Sequence, residues 1–459
     1  MSSVGEMKIP RLAGVCRLEE AQRPGFSVAE ATRRLRRIAF LKQRLAFLAA
    51  AQLNATPEWE AKPGLALHAW LDAEHATALR QRLLELREPA SRLEETPDPK
   101  LALALEEALH ARDTVELFTG IYAVLRPVLL EACERYLAGT NPLADQPSCR
   151  LLKLLRLEES EAIAWGRAAL AAGPSAARSE AWAAHLDSFL AAAGGVDGTR
   201  PIPQAKLPAR RATRAFRPDV LPRRDPRFTG LFDTATPADT VYLDESRPVA
   251  ERNLALLFKR VREMDVPEVL AGILAQSPER SWEEAAPLFR QMWDEARHAL
   301  LGEVALEARG VEWRALPVNV TFSYKLGRFC SPLDRHILLY AIEQSLMPAR
   351  RGKRYEWELA RESGDALSTT FQDFDWADEV LHVAIARRTL RGRLRGGLEQ
   401  ARRRADALWK RIARALERTP LPEDAPRPDW WENFVQSTLG WRPAPVGKTH
   451  VKDWRPLSA

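Results

Sequence analysis

The sequence predicts an all-α protein of two tandem four-helix-bundle domains joined by a Pro/Arg-rich connector. Three observations predict it. The 459 residues are 46% hydrophobic and 28% charged, with the apolar share dominated by Ala and Leu and few β-branched runs, the composition of amphipathic helices. Apolar residues recur at three- and four-residue spacing through most of the chain, as in Leu35, Ile38, Ala39, Leu41, Leu45 and Leu48. Finally, a short acidic motif with histidine, Asp294-Glu295-Ala-Arg-His298, returns as Asp378-Glu379-Val-Leu-His382, 84 positions later.

In chain order, the first helix opens after Pro24-Gly25, with Ser27 as N-cap, and ends near Asn54. Helices follow over about Leu65 to Glu88, Thr114 to Leu137, Ser148 to Ala172 and Ala176 to Ala193, which completes a first domain over 1–195. Seven prolines and many arginines between 196 and 245, among them Pro222, Pro226 and Pro237, predict an extended connector. The second domain spans 246–392. Its first helix starts near Pro248 and runs to about Gln276, then turns at Ser277-Pro278. Ser281 and Glu284 suggest a capping box at the start of the helix that carries Glu295 and His298. A loop with Pro317 leads to a helix from about Asp334 through Glu343, a break at Pro348 to Gly352, and a last helix with Glu379 and His382 entered at Gly364-Asp365. Residues 393–459 read as a basic helix and a Trp/Pro-rich tail without periodicity, pinned to the helices by Trp430, Trp431, Trp441 and Trp454.

Charge and cysteine content exclude several function classes. The net charge is +6, yet 68 basic residues are interleaved with 62 acidic ones, so a solvated surface is preferred to a nucleic-acid face. Arg387 to Arg414 is the one concentrated basic stretch, an exposed helix or a docking face for an acidic partner. Neither a membrane span nor a secretion signal is legible, so the expected location is the cytoplasm. Cys16, Cys133, Cys149 and Cys330 lack ligand or disulfide spacing and read as reduced structural thiols.

On a helix, residues three apart share a face, so each Glu-x-x-His offers a carboxylate and an imidazole together. One such motif arises by chance in roughly half of chains this long, so the second copy is what gives the first weight. A paired Fe or Mn site in a bundle needs six ligands, one Glu from each of two helices and Glu-x-x-His from each of the other two. Antiparallel pairing about the turn near 278.5 places the mirror of Glu295 at 262, which selects Glu263. Glu268 would sit about five residues too shallow, roughly 7 Å, and Glu251 about eleven too deep. Pro267 lacks the N–H that would bond the Glu263 carbonyl, so a distortion is expected there. Glu343 is the natural third-helix ligand, in apolar surroundings and 36 before Glu379, against 32 between Glu263 and Glu295. Asp294 and Asp378 are placed to accept from the distal nitrogen of the histidine on the neighbouring helix. The predicted metal ligands are therefore Glu263, Glu295, His298, Glu343, Glu379 and His382, supported by Asp294 and Asp378. Trp293 and Trp376 read as core packing in preference to electron transfer; His68, His110, His185, His336 and His450 are unassigned.

The first domain echoes this pattern with its chemistry removed. Asp72 and His75 are three apart, and Glu159 has Ala162 where a histidine would complete the motif. The spacing of 87 from Asp72 to Glu159 nearly equals the 84 of the second domain, which suggests an internal duplication. No acid lies between Arg33 and Thr56 or between Gly120 and Pro127, so a degenerate copy is expected, with Asp72 and His75 as a satisfied polar pair.

The order Glu263, Asp294-Glu-Ala-Arg-His298, Glu343, Asp378-Glu-Val-Leu-His382 resembles the ferritin-like dimetal-carboxylate superfamily. Asp-Glu-x-Arg-His in particular is similar to the motif of bacterial multicomponent diiron monooxygenases. The resemblance covers about 248 to 390, with the ligand-depleted echo over 27 to 172. It implies a ferritin-like bundle, two Fe ions or a Mn/Fe pair, and an oxidase or oxygenase using O₂ on a small organic substrate. An electron donor is implied but not identified, and a homodimer is compatible with it. The duplicated architecture, the connector and the Trp-rich tail depart from that group's hydroxylase subunits. The alternative is a metal-binding or structural scaffold protein with no oxygenase activity.

Overall fold

The computed structural model describes residues 9–173, 176–204, 206–228, 230–233, 240–277, 279–316, 318–319, 321–348, 350–417, 430–446 and 451–453. Pro237, Pro278, Pro317, His450 and Trp454 lie outside the described residues, as does most of the Pro-rich start of the tail. The chain divides into two compact units, Met1–Leu48 with Leu71–Arg217, and Ala49–Trp70 with Pro218–Ala459.

The first unit is built on α1 (Leu18–Ala21), α2 (Val28–Leu53), α3 (Ala61–Glu85), α4 (Pro99–Leu109), α5 (Thr114–Phe118), α6 (Arg126–Gly139), α7 (Gln146–Ala171) and α8 (Ala176–Ala192). Residues 49–70 of α2 and α3 belong with the second unit. Ser27 Oγ accepts from the Glu30 N–H at 3.2 Å and starts α2, whose residues Leu35, Ile38, Leu41 and Leu45 are buried. Between α5 and α6 the chain widens into a π-turn over Thr119–Leu125, where the Arg126 N–H bonds to the carbonyl of Ile121, five residues back. Pro127 explains the widening, because its ring leaves the preceding turn without one α-helical donor. The expected helix from Thr114 to Leu137 is thus one run with a π-turn inside it, and α4 is a helix that the sequence reading passed over.

The second unit contains α9 (Val249–Arg262), α10 (Asp265–Ala275), α11 (Trp282–Glu307), α12 (Thr321–Phe329), α13 (Pro332–Ser345), α14 (Lys353–Glu362), α15 (Ala366–Arg393), α16 (Gly397–Glu417) and α17 (Trp430–Leu439). α11 packs against α9, α10 and α15, and α13 against α10, α15 and α16. The first helix expected here breaks at Glu263, whose carbonyl accepts from the Val266 N–H at 2.9 Å in place of the donor that Pro267 lacks. Ser331 Oγ accepts from Asp334 N at 3.2 Å at the start of α13, and Asp365 accepts from Ser368 N at 3.0 Å at the start of α15. Gly302 lets α11 approach α9 closely, since a Cβ there would lie 2.5 Å from the Val261 nitrogen.

Three expectations need correction. Ser281 stands at the N-cap of α11 without a side-chain cap bond, so the reciprocal capping box does not close, and Glu284, beside the Ser281 backbone, also bonds to Arg393 at 3.0 Å. The tail is not without periodicity, because α17 lies within it. Trp431 of α17 is buried against Phe258 and donates its indole N–H to Glu251 at 3.1 Å. Among the described residues the helices are joined by a small sheet of order β2-β1-β3, in which β1 (Gly230–Asp233) runs parallel to β2 (Val318–Asn319) and antiparallel to β3 (Val451–Asp453). The hydrophobic core of this unit gathers Trp59, Leu254, Phe258, Trp313, Trp431 and Phe434, with Trp441 packed against it.

Candidate metal centre

The helix positions bring all six predicted ligands into two adjoining groups. In one, Glu295, Glu343, Glu379 and His382 present ligand atoms within 4.8 Å of one another, and all four are buried. In the other, Glu263 and His298 meet Asp375 within the same limit. Asp375 was missed by the sequence reading. Its only signal is that it lies four residues before Glu379, one turn earlier on the same helix face.

The histidines are oriented from behind. His298 Nε2 lies 3.1 Å from Asp378 on α15, and His382 Nε2 lies 3.4 Å from Asp294 on α11, so each imidazole is held by the acid of the other motif. Arg297 braces both acids, at 2.8 Å to Asp294 and 2.6 Å to Asp378, and Arg290 adds a 2.8 Å contact to Asp294. With the Nε2–H given to a carboxylate, the Nδ1 lone pair of each ring faces inward. His298 Nδ1 lies 3.2 Å from Asp375 and 3.6 Å from Glu263, and His382 Nδ1 lies 3.2 Å from Glu295, none in hydrogen-bonding alignment.

Four inward atoms are buried without a hydrogen-bond partner: His298 Nδ1, His382 Nδ1, Glu343 Oε2 and Glu379 Oε2. Buried polar atoms are nearly always paired, so four orphans lying within these two donor groups need an explanation. A dication accounts for them: carboxylate oxygens and neutral imidazoles are donors that suit Fe or Mn. Gln291 fixes the remaining oxygen of Glu343 with a 2.6 Å bond from its amide. The residues present therefore fit a bound metal.

The groups are not equally free of cations. Lys353, at the first turn of α14, places Nζ 2.9 Å from Asp375 Oδ2 and 2.9 Å from Glu379 Oε1, entirely buried. Arg260 of α9, also fully buried, reaches Glu263 at 2.8 Å, Glu356 at 2.9 Å and Asp375 as well. Neither cation was anticipated, because nothing in the spacing of Lys353 or Arg260 marks them as inward.

Without a metal, protons and these cations share the neutralisation. Burial, reinforced by the charges of Glu379 and Glu295, holds Glu343 well above the usual carboxylate range. Burial likewise lifts Glu263 to about 7 against the pull of Arg260 and Lys353. Burial would raise Glu295 too, but the His298 and His382 rings beside it, 3.5 and 3.2 Å away, outweigh it and bring it down to about 2. For His298 burial disfavours the imidazolium, yet Asp375, Asp378 and Glu295 overcome it and raise the ring to about 10.

The first unit holds a counterpart with fixed cations. Lys42, which stands 30 before Asp72 as Glu263 stands 32 before Glu295, pairs with both Asp72 and Glu159. Arg126 joins the same two carboxylates at 2.8 and 2.9 Å. All four side chains are buried, and Arg126 and Lys42 draw Glu159 down to about 2 against the effect of burial. Asp72 and His75 are not paired with each other as the sequence suggested. His75 Nε2 instead meets Glu158 at 2.7 Å, because the lysine and arginine already satisfy Asp72.

Compared with family models, curated proteins and solved structures, the chain matches none. The functional reading therefore rests on the site itself.

Proposed function

We propose that the second unit is a ferritin-like four-helix bundle holding two metal ions, and that the chain is a non-haem diiron oxidase or oxygenase of a small organic substrate, with Mn/Fe as the other pairing. What supports this is the donor set: two Glu-x-x-His motifs, Glu263 and Glu343, with four inward atoms that nothing else satisfies. The first unit is read as a second bundle of the same descent that has lost its ligands. A reduced iron pair in such a cage supplies the electrons that activate O₂. The chain's own groups set the conditions. Asp294 and Asp378 fix the ring orientation, Gln291 holds Glu343, and the buried Met292, Ala296, Val383 and Ala386 keep the surroundings of low dielectric.

Lys353 and Arg260 favour a second reading, in which the bundle is a metal-binding or structural scaffold with no oxygenase activity, since much of one group is neutralised without metal. Oxygen uptake separates the two. The iron-loaded, reduced wild type should consume O₂ in proportion to bound iron, and Glu295→Ala with His382→Ala should lose both the iron and the uptake. Iron bound without O₂ consumption selects the metal-binding scaffold, and the absence of metal uptake by wild type removes both metal readings.

A further inference from the structure

Lys353 is the only lysine among the described residues whose ammonium touches two residues of the candidate metal centre, Asp375 at 2.9 and 3.0 Å and Glu379 at 2.9 Å. It is delivered there by the backbone. Leu346 O accepts the Lys353 N–H at 2.9 Å, and Gly352 permits the close turn before it, since a Cβ at 352 would lie 2.2 Å from the same carbonyl. α14 then begins with the side chain already inside. Arg260 approaches the same carboxylate, Asp375, from α9.

The two groups of donors consequently differ in charge. Glu263, Asp375 and a neutral His298 carry two negative charges, and Arg260 and Lys353 bring two positive ones to them. Glu295, Glu343, Glu379 and a neutral His382 carry three once a metal has taken the place of the proton on Glu343, and among the described residues the one lysine or arginine that meets them is Lys353, shared with Asp375, through its contact to Glu379. Attraction for a dication scales with the uncompensated charge, and a neighbouring ammonium in a buried site repels it strongly. The orphaned atoms agree: three of the four, Glu343 Oε2, Glu379 Oε2 and His382 Nδ1, belong to the second set. The first unit shows the limiting case, where the ammonium of Lys42 lies between Asp72 and Glu159 in a cluster that Arg126 completes.

We propose that Lys353 is a resident cation of the centre, so that the two metal positions are unequal: Glu295, Glu343, Glu379 and His382 take the first ion, and Glu263, His298 and Asp375 take a second only when the Lys353 ammonium is displaced. This rests on the dimetal reading above, but it concerns the order and strength of loading and not the chemistry performed. An asymmetric centre follows, in which one ion is permanent and the other exchangeable.

The test is an anaerobic Co(II) titration of the metal-free full chain, followed by the visible absorption of the bound ion and by metal analysis after desalting. Wild type should show one tight equivalent and a second at least about 100-fold weaker. Lys353→Met should raise the tight stoichiometry from one to two, and Lys353→Arg, which keeps the charge, should leave it at one. His382→Ala should lose the tight equivalent, whereas His298→Ala should keep it, a comparison that decides the matter even if Lys353→Met does not fold. Two equivalents of equal affinity in wild type, or loss of the tight ion in His298→Ala but not in His382→Ala, would overturn the proposal while leaving the dimetal reading intact. No Co(II) uptake by any folded form would remove both.

Discussion

At the scale of single residues, the centre divides into groups whose partners are complete and groups whose partners are missing. Asp294 is complete, with Arg290, Arg297 and His382 around it, and these contacts hold its carboxyl below the ordinary range even though burial pushes the other way. The inward atoms of Glu343 and Glu379 are not complete. His336 is a buried histidine of a different kind, fully enclosed on α13, with its Nδ1 3.5 Å from Arg280. Burial first, and then the charges of Arg280 and Arg393, lower it from 6.5 to about 3. Its folded value thus lies below its unfolded one, so below about pH 6.5 the unfolded chain takes up a proton that the folded chain refuses. Stability should therefore fall as the pH drops, by about 2 kcal/mol from this group between about pH 6.5 and pH 5. Urea unfolding across that range tests it: His336→Phe should remove this part of the pH dependence, and an unchanged slope would reject the assignment. The site's residues were legible in unequal measure for a related reason. Glu295, His298, Glu379 and His382 announce themselves by spacing and Asp375 only by lying one turn before Glu379, whereas Lys353 and Arg260 enter the centre through helix rotation and the turn at Gly352, which no local pattern encodes.

At the scale of elements, helix register was readable where a cap and an apolar stripe coincide. Ser27 before α2 and Asp365 before α15 make their cap bonds, whereas the Ser331 cap of α13 lies three residues ahead of the start that the sequence suggested. The reading failed where tertiary partners compete. Ser281 makes no side-chain cap bond while Glu284 is shared with Arg393, α17 forms in a stretch rich in Trp, and the short strands pair residues more than eighty positions apart. The break after α9 was foreseeable from Pro267, and it leaves Glu263 as the last residue before a change of direction. That geometry depends on how closely α9 and α11 approach. A methyl group on Gly302 would lie 2.5 Å from Val261 N, 2.7 Å from Arg260 Cβ and 2.9 Å from Leu257 O, so backbone and not a flexible side chain must give way. Gly302→Ala should accordingly destabilise the fold by about 1–3 kcal/mol, although alanine is the better helix former. Chemical denaturation measures this directly. A neutral or stabilising effect would mean that α9 and α11 are not held this close.

At the scale of the whole molecule, one chain carries two clusters that solve the same electrostatic problem by different means. Buried carboxylates need a counter-charge, and the first unit supplies it permanently through Lys42 and Arg126. The second unit supplies part of it through Lys353 and Arg260 and leaves several donors open. The first cluster should therefore matter for stability and the second for metal. Removing one partner of a buried ion cluster leaves an uncompensated charge, so Lys42→Met should destabilise the chain by about 3–5 kcal/mol. A ligand that binds only the folded form raises the melting temperature by mass action, so Fe(II) or Co(II) added to wild type should increase it. Lys42→Met should start from a lower melting temperature yet gain the same metal-induced increment. Glu295→Ala with His382→Ala should lose the increment, because the ions then have no tight place to bind. Calorimetry with and without metal reads all three. If the increment disappeared in Lys42→Met, the ion-paired cluster would be part of the metal chemistry, and the division of labour between the two units would have to be abandoned.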